Sequence, residues 1–286
     1  MASAAVVAVW LAGAFVWGRI EGLLVRTVAA QQRTLEDSFQ ALAMVVREEA
    51  LVIAPASGSF QALVSEGSRV RAGAVVASLM NAGGERLVYA TAAGNVHFYW
   101  DGWEQQVDLD LLLHRAVRQW REVQPAPGRI TDGQLVQAGQ PVARIVHGHV
   151  IRLYLDLPAG VTLASGQRVE VRMPGVTDQT VGGRVVALGS GEPAAVLVEL
   201  DRYLPVLDAA RWVDVEVVRA RYQGLAVPAE AIVWEAADRP GVYVRRETRV
   251  VLRGVRIVGQ AGGWAVVDGI SAGDEVITNP GRVATR

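Results

Sequence analysis

The stretch Glu66-Gly67-Ser68-Arg69-Val70-Arg71-Ala72-Gly73-Ala74-Val75-Val76-Ala77-Ser78-Leu79 recurs as Asp132-Gly133-Gln134-Leu135-Val136-Gln137-Ala138-Gly139-Gln140-Pro141-Val142-Ala143-Arg144-Ile145. An acid-Gly pair, a Val, an Ala-Gly pair, and a Val-Ala pair before an aliphatic residue return in register. Gly67, Gly73, Gly133 and Gly139 fall where turns call for positive φ or a close backbone approach. The intervals are too short for helix, and Val70, Ala72 and Val76 alternate with exposable residues, the pattern of a half-buried strand. Each copy therefore reads as turn, short strand, turn, strand. Self-similarity at fixed spacing implies two copies of one small β unit.

Related phrases flank the copies. Ala54-Pro55-Ala56-Ser57-Gly58 precedes the first, Ala126-Pro127-Gly128 precedes the second, and Ala90-Thr91-Ala92-Ala93-Gly94 lies between them. Pro and Gly here mark strand ends. The small-Gly-x-x-Val turn returns at Ser165-Gly166 and at Ala272-Gly273. Gly58, Gly67, Gly73, Gly94, Gly128, Gly133, Gly139, Gly166 and Gly273 are thus read as structural turn positions.

The 286 residues leave room for two or three small domains. A net charge of −1 gives no reason to expect a nucleic-acid partner. There is no Cys, which excludes disulfides, thiolate catalysis and cysteine metal sites. There is no Lys either, so all 28 basic residues are Arg. Schiff-base chemistry, a phosphate-loop lysine, and biotin or lipoyl attachment are chemically impossible. Of four histidines (His97, His114, His147 and His149), His147-x-His149 places two imidazoles on one strand face, but no third ligand stands near. No nucleophile elbow or phosphate loop occurs. The reading is a non-enzyme with no cofactor, no metal and no catalytic residue.

The N-terminal run Ala2–Trp17 carries Ser3 as its sole polar side chain and is closed by Gly18-Arg19. That is about the minimum for a bilayer span, roughly 17–25 residues, so residues 1–18 are expected to form a transmembrane anchor. A cleaved signal peptide fits less well, because no basic region precedes the apolar run. Residues 19–49 read as a juxtamembrane helix: Leu35, Phe39, Leu42 and Val46 form a stripe at spacings of three and four. After Pro55 the chain reads as β, except at 105–122. There Leu109, Leu112, Leu113, Ala116, Val117 and Trp120 line one face of a single amphipathic helix. Tyr99, Trp100 and Trp103 just before it are a candidate partner surface, with core packing as the plainer reading.

Short strands continue from Val150 to Arg219, and a last β module begins at Val227-Pro228. At this point the residues resemble the HlyD-like membrane-fusion, or periplasmic adaptor, family. Ala54–Gly58 with Glu66-Gly67, Val70 and Gly73 resembles one lipoyl half. Ala126-Pro127-Gly128 with Asp132-Gly133, Val136, Gly139 and Val142 resembles the other. Val227-Pro228-Ala229-Glu230-Ala231-Ile232, Gly241-Val242-Tyr243-Val244 and Asp268–Val276 resemble the membrane-proximal module.

The resemblance implies a mainly β chain: anchor 1–18, juxtamembrane helix 19–49, barrel-sandwich (lipoyl-like) domain 50–148 with an inserted helix at 105–122, β-barrel 149–222 and membrane-proximal β domain 223–286. It implies a non-catalytic, single-pass, extracytoplasmic adaptor of an export transporter. Its partners would be the membrane, an inner-membrane transporter (ABC or proton-driven) and further copies of itself. A cell-envelope or division scaffold with the same architecture is the alternative. Family members usually carry a long α-helical hairpin between the lipoyl halves. Here the helix at 105–122 is read as standing in that place, about 25 Å long at ~1.5 Å per residue.

Overall fold

The computed structural model describes residues 25–104, 107, 109–123, 125–235, 238–246 and 249–282. The expected anchor at 1–18 lies outside them. Among the described residues, no helix is long and apolar enough to cross a membrane.

Residues 25–49, expected as helix, are instead extended: strands Thr27–Ala29 and Gln31–Ile53 replace it. Residues four apart share a face in a helix and in a strand alike, so the stripe Leu35-Phe39 cannot separate the two. The ladder to Pro141–Asp156 decides the matter. It runs antiparallel from Ile53↔Pro141 to Ala43↔Leu155 and satisfies the backbone across a long sequence separation. Phe39, Ala43 and Val45 then enter one core while Met44 and Val46 enter another on the opposite face, the period-2 signature of a strand buried on both sides.

These two long strands run through the compact unit 39–219. Between His147 and Arg152 their pairing breaks at a bulge, where Gly148 stands at φ +81°. Beyond the bulge they join Ala195–Leu200, Thr177–Leu188, Arg168–Met173 and the first part of Trp212–Pro228 in a β-barrel, closed where the first long strand meets the last. Leu153, Val171, Val185, Val198 and Val215 fill its interior.

Before the bulge the same strands belong to a sandwich. One sheet orders Leu135–Val136, Gly58–Ala62, Val75–Asn81 and Gly84–Tyr89; the other includes Arg69–Val70, Gly94–His97 and the two long strands. Register reveals a pseudo-two-fold. Phe60↔Leu79 in one half corresponds to Val96↔Ile145 in the other, Val136↔Gly58 to Val70↔Gly94, and Leu87↔Ser78 to Leu51↔Arg144. So 66–80 answers to 132–146, and 49–62 answers to 85–98. The second correspondence is legible as Glu-x-Leu-Val-x-Ala-x-Ala-x-Gly at 49–58 and 85–94.

Two sequence expectations change as a result. The counterpart of Ala54–Gly58 is Ala90–Gly94, and not Ala126-Pro127-Gly128. The seam between the halves is the tight turn at Asn81-Ala82-Gly83-Gly84, while residues 99–131 are an excursion inside the second half.

The turn glycines hold this symmetry together. Gly67 N–H donates to the Val96 carbonyl and Gly133 N–H to that of Phe60, with φ of +74° and +82°. Residues Ser65 and Thr131 accept the i→i+3 bonds from Ser68 and Gln134, the type II pattern with Gly at its third position. The acids before them act alike: Glu66 accepts Phe98 N–H and Asp132 accepts Ala62 N–H.

The inserted segment also differs from expectation. It forms two short helices, Leu109–Leu112 and Val117–Glu122; Gln105, Gln106 and Asp108 lie outside the described residues. A continuous helix would bond Val117 N–H to the Leu113 carbonyl. Instead, Ser190 N–H takes that carbonyl at 2.9 Å and Asp156 takes the amide at 2.8 Å. The hydroxyl of Tyr154, whose pKa burial raises to about 12, donates to the Arg115 carbonyl between the helices. Tertiary partners have captured the groups that would have joined the two pieces.

The second unit comprises, among the described residues, those from 25 to 38 and from 220 to 282. Thr27–Ala29 pairs with Glu275–Ile277, which pairs with Pro240–Arg246, flanked by Ile232–Trp234 and Arg249–Gly254. The hairpin Arg256–Ala261/Trp264–Asp268 joins the end of Trp212–Pro228. Val227, Val242, Val244, Val267 and Val276 make its core.

A Cβ at Gly94 would sit 2.2 Å from the Val146 carbonyl oxygen, against 2.9 Å between its counterpart Gly58 and the Met80 oxygen. Gly94→Ala is therefore expected to destabilise by about 3 kcal/mol and Gly58→Ala by less, measured by denaturant unfolding. At Gly67, which faces open space, Ala should cost only the left-handed backbone penalty of roughly 1–2 kcal/mol.

Candidate functional site: a buried charge cluster at the bulge

Three arginines meet at the bulge between sandwich and barrel. Arg144 is fully buried, with Arg47 and Arg211 nearly so. Arg144 Nη1 donates to Glu49 Oε1 at 2.8 Å, and its Nη2 donates to the Asp208 carbonyl at 2.7 Å. Arg47 Nε reaches the same Glu49 oxygen at 2.8 Å, while its Nη1 binds the carbonyls of Leu207 and Ala210. Arg211 bridges Asp101 (Nε to Oδ2, 2.9 Å), the Val45 carbonyl and Glu49 Oε2. Glu104 accepts the amides of Asp101 and Gly102 and lies 3.8 Å from Arg144. Three guanidiniums thus face three carboxylates, which balances charge removed from water.

The protonation equilibria follow from this burial. Desolvation lowers the Arg47 pKa despite Glu49. At Arg211 desolvation is outweighed by Glu49 and Asp101, and the pKa rises. Burial pushes Glu104 up. At Asp101 burial acts upward too, but the Arg211 bond and charge bring the carboxyl below its ordinary range.

A second arm extends from the cluster. His97 Nδ1 lies 2.6 Å from Glu66 Oε1, and its Nε2 is 3.5 Å from Asp208 Oδ2. Asn95 Nδ2 and the Tyr203 hydroxyl donate to that same Asp208 oxygen. Burial would raise the Asp208 pKa, but these bonds hold it below the usual carboxylate value. Arg144, His97 and Glu49 of the sandwich meet Asp208 and Arg211 of the barrel side here, so the arrangement locks the two together.

The predicted site residues scatter around this lock. Gly73, Gly139, Gly166 and Gly273 stand at positive φ in turns, like Gly67 and Gly133. Gly58, Gly94 and Gly128 are instead points of close approach, Gly128 beneath the Trp100 ring. Trp103 is no surface: it is 3 % exposed and packs edge-on against Trp120 and Trp212 at centroid distances of 5.9 and 6.3 Å. Tyr99 and Trp100 are half-buried, with Arg144 over the Tyr99 ring at 4.8 Å. His147 and His149 flank the bulge glycine and turn to Glu48 and Arg69 respectively. Among the described residues no three His, Asp or Glu side chains are grouped to hold a metal.

Sequence reasoning passed over the cluster itself. One signal was available: Arg144 interrupts Val142-Ala143-Arg144-Ile145 where the other copy has Ser78. Asp208 and Arg211 carry no such mark.

Residues 49–147 match the family model described as RND related, barrel-sandwich hybrid domain. The match begins at Glu49, where the repeated unit begins. The resemblance read from the repeated phrase is borne out there. Among solved structures, the chain is similar to ZneB from Cupriavidus metallidurans (14 % identity, 89 % of this chain and 92 % of that one, TM-score 0.42). It is also similar to MacA from Actinobacillus actinomycetemcomitans (12 %, 88 % and 99 %, TM-score 0.47) and the membrane fusion protein Spr0693 from Streptococcus pneumoniae R6 (12 %, 64 % and 100 %, TM-score 0.33). No curated protein matches the chain by sequence.

Arg144→Met should destabilise the unit by about 3–5 kcal/mol in denaturant unfolding, because Glu49 and the Asp208 carbonyl lose a buried partner. Asp208, whose folded pKa is depressed, contributes stability that is present above its unfolded value of 3.8 and disappears as pH falls through the lower folded value. Asp208→Asn should therefore lose stability less steeply than the natural protein between about pH 5 and pH 2, followed by urea midpoints across that range.

Proposed function

We propose that this chain is a non-catalytic, HlyD-like adaptor subunit, anchored by residues 1–18, that works outside the cytoplasm on an inner-membrane export transporter. One observation carries the reading: an RND-related barrel-sandwich hybrid domain at 49–147, joined to a β-barrel through a buried, charge-balanced cluster. Such a joint favours a body that transmits position over one that turns over a substrate. Chemistry points the same way, since a lysine-free chain cannot carry biotin or lipoate.

The seam between the lipoyl-like halves bears on reach. In the family that seam usually holds the long helical hairpin; here Val75–Asn81 passes to Gly84–Tyr89 through a tight turn. Such an adaptor acts near its transporter and does not extend to a distant duct.

Two measurements test this. A reporter fused after Arg286 should be active only on the extracytoplasmic side; activity in the cytoplasm contradicts the proposal. Crosslinking in native membranes should recover a transporter subunit, and deletion should reduce export. Recovery of envelope or division proteins alone, with export unchanged on deletion, selects the scaffold reading instead.

A further inference from the structure

The two halves of the sandwich have equivalent outer faces, and one of them exposes large apolar side chains around a buried Ser78. In the half next to the barrel, Asn95, His97, Arg144 and Glu49 lie beneath the barrel segment 203–211. Their counterparts by register are Ser59, Gln61, Ser78 and Glu85. Cross-strand pairing sets Leu135, Ser59, Met80 and Glu85 in one row, and Gln61, Ser78 and Leu87 in the next. Leu135 is 79 %, Met80 52 % and Leu87 38 % exposed, with Leu63 at 47 % beside them on the same strand face as Ser59 and Gln61.

This composition runs opposite to that of a solvent face. Arg144 and His97 of the covered half are replaced by Ser78 and Gln61, and large apolar groups stand in the open. A charge-depleted apolar centre is the composition of an interface. Glu85 keeps the place of Glu49, yet among the described residues it has no ion pair.

We infer that this face docks a helical segment of a partner protein, which lays leucine-like side chains over Met80, Leu87 and Leu135 and sets one Arg or Lys on Glu85. Size, charge and the internal repeat all select this occupant. Four strands spaced ~4.8 Å and rows about 7 Å apart make a patch roughly 15 Å across. That fits one helix of about 10 Å diameter and falls far short of the ~800 Å² per partner of a stable dimer. A second copy docked face to face would supply no cation, since the two rows of this face hold only Leu135, Ser59, Met80, Glu85, Gln61, Ser78 and Leu87. Finally, the equivalent face is covered by the segment that carries the helical turn Pro205–Asp208: the Asp208 carbonyl binds Arg144 there, and Arg211 just beyond the turn sets a cation on Glu49, the counterpart of Glu85. The inference rests on the sandwich alone and holds whether or not the partner is a transporter.

The test uses the full chain in detergent and a fluorescein-labelled amphipathic helical peptide with leucines along one face and a single Arg, alongside its Arg→Gln version. Anisotropy should show saturable binding of the Arg peptide, weakened about tenfold by Leu87→Asp or the milder Leu87→Ser. Leu188→Asp, on an exposed barrel position, should leave it unchanged. Glu85→Gln should weaken the Arg peptide about fivefold and leave the Gln peptide unaffected, a double-mutant cycle on the one charge pair. Thermal unfolding of each variant confirms that it remains folded. Equal binding to the natural protein and to both Leu87 variants overturns the inference. So does a self-associated chain that Leu87→Asp dissociates in sedimentation, because the occupant is then a second copy.

Discussion

The guanidinium of Arg144 sits where neither the sandwich nor the barrel alone could tolerate it. Buried without a partner it would cost several kcal/mol; it is stable because Glu49 comes from the paired strand and the Asp208 carbonyl comes from the barrel. Arg47, on the first long strand, and Arg211, just before Trp212–Pro228, repeat the arrangement. The cluster therefore couples the formation of the two modules. It also requires the bulge at Gly148, which re-aims the long strands as they pass from one module to the other.

The same logic of captured partners governs the insert. Leu112, Val117 and Trp120 pack as an amphipathic helix would, yet the backbone between the two pieces is pinned by Ser190, Asp156 and Tyr154. Trp103 becomes core for the same reason: the excursion folds back on the barrel's outer face, and its aromatics are what it buries there.

Much of the sandwich was legible because its information is local and duplicated. A type II turn needs Gly at its third position, so Gly67 and Gly133 declare themselves in any context, and the Val-Ala strands that follow alternate plainly. The matching of 49–58 to 85–94 was also present as letters. It escaped notice because the Ala-Pro-Gly phrase at 126–128 offered a closer superficial likeness to Ala54-Pro55. The extended state of residues 27–49 was not legible. The spacing of four at Leu35-Phe39 and Leu42-Val46 serves helix and strand equally, the spacing of three between Phe39 and Leu42 points to helix, and the partner strand that overrides it lies near residue 150.

By itself, then, the sequence determined the repeated β unit and the absence of thiol and lysine chemistry. These follow from residue identity and short-range backbone sterics. The tertiary structure alone decided that 27–49 is strand, that the seam between the halves is a tight turn, that Trp103 is buried, and that Arg47, Arg144 and Arg211 share one set of carboxylates. Each of these depends on groups far apart in the chain satisfying one another away from water. Desolvation makes such pairing obligatory, but no local pattern encodes which distant group will supply it.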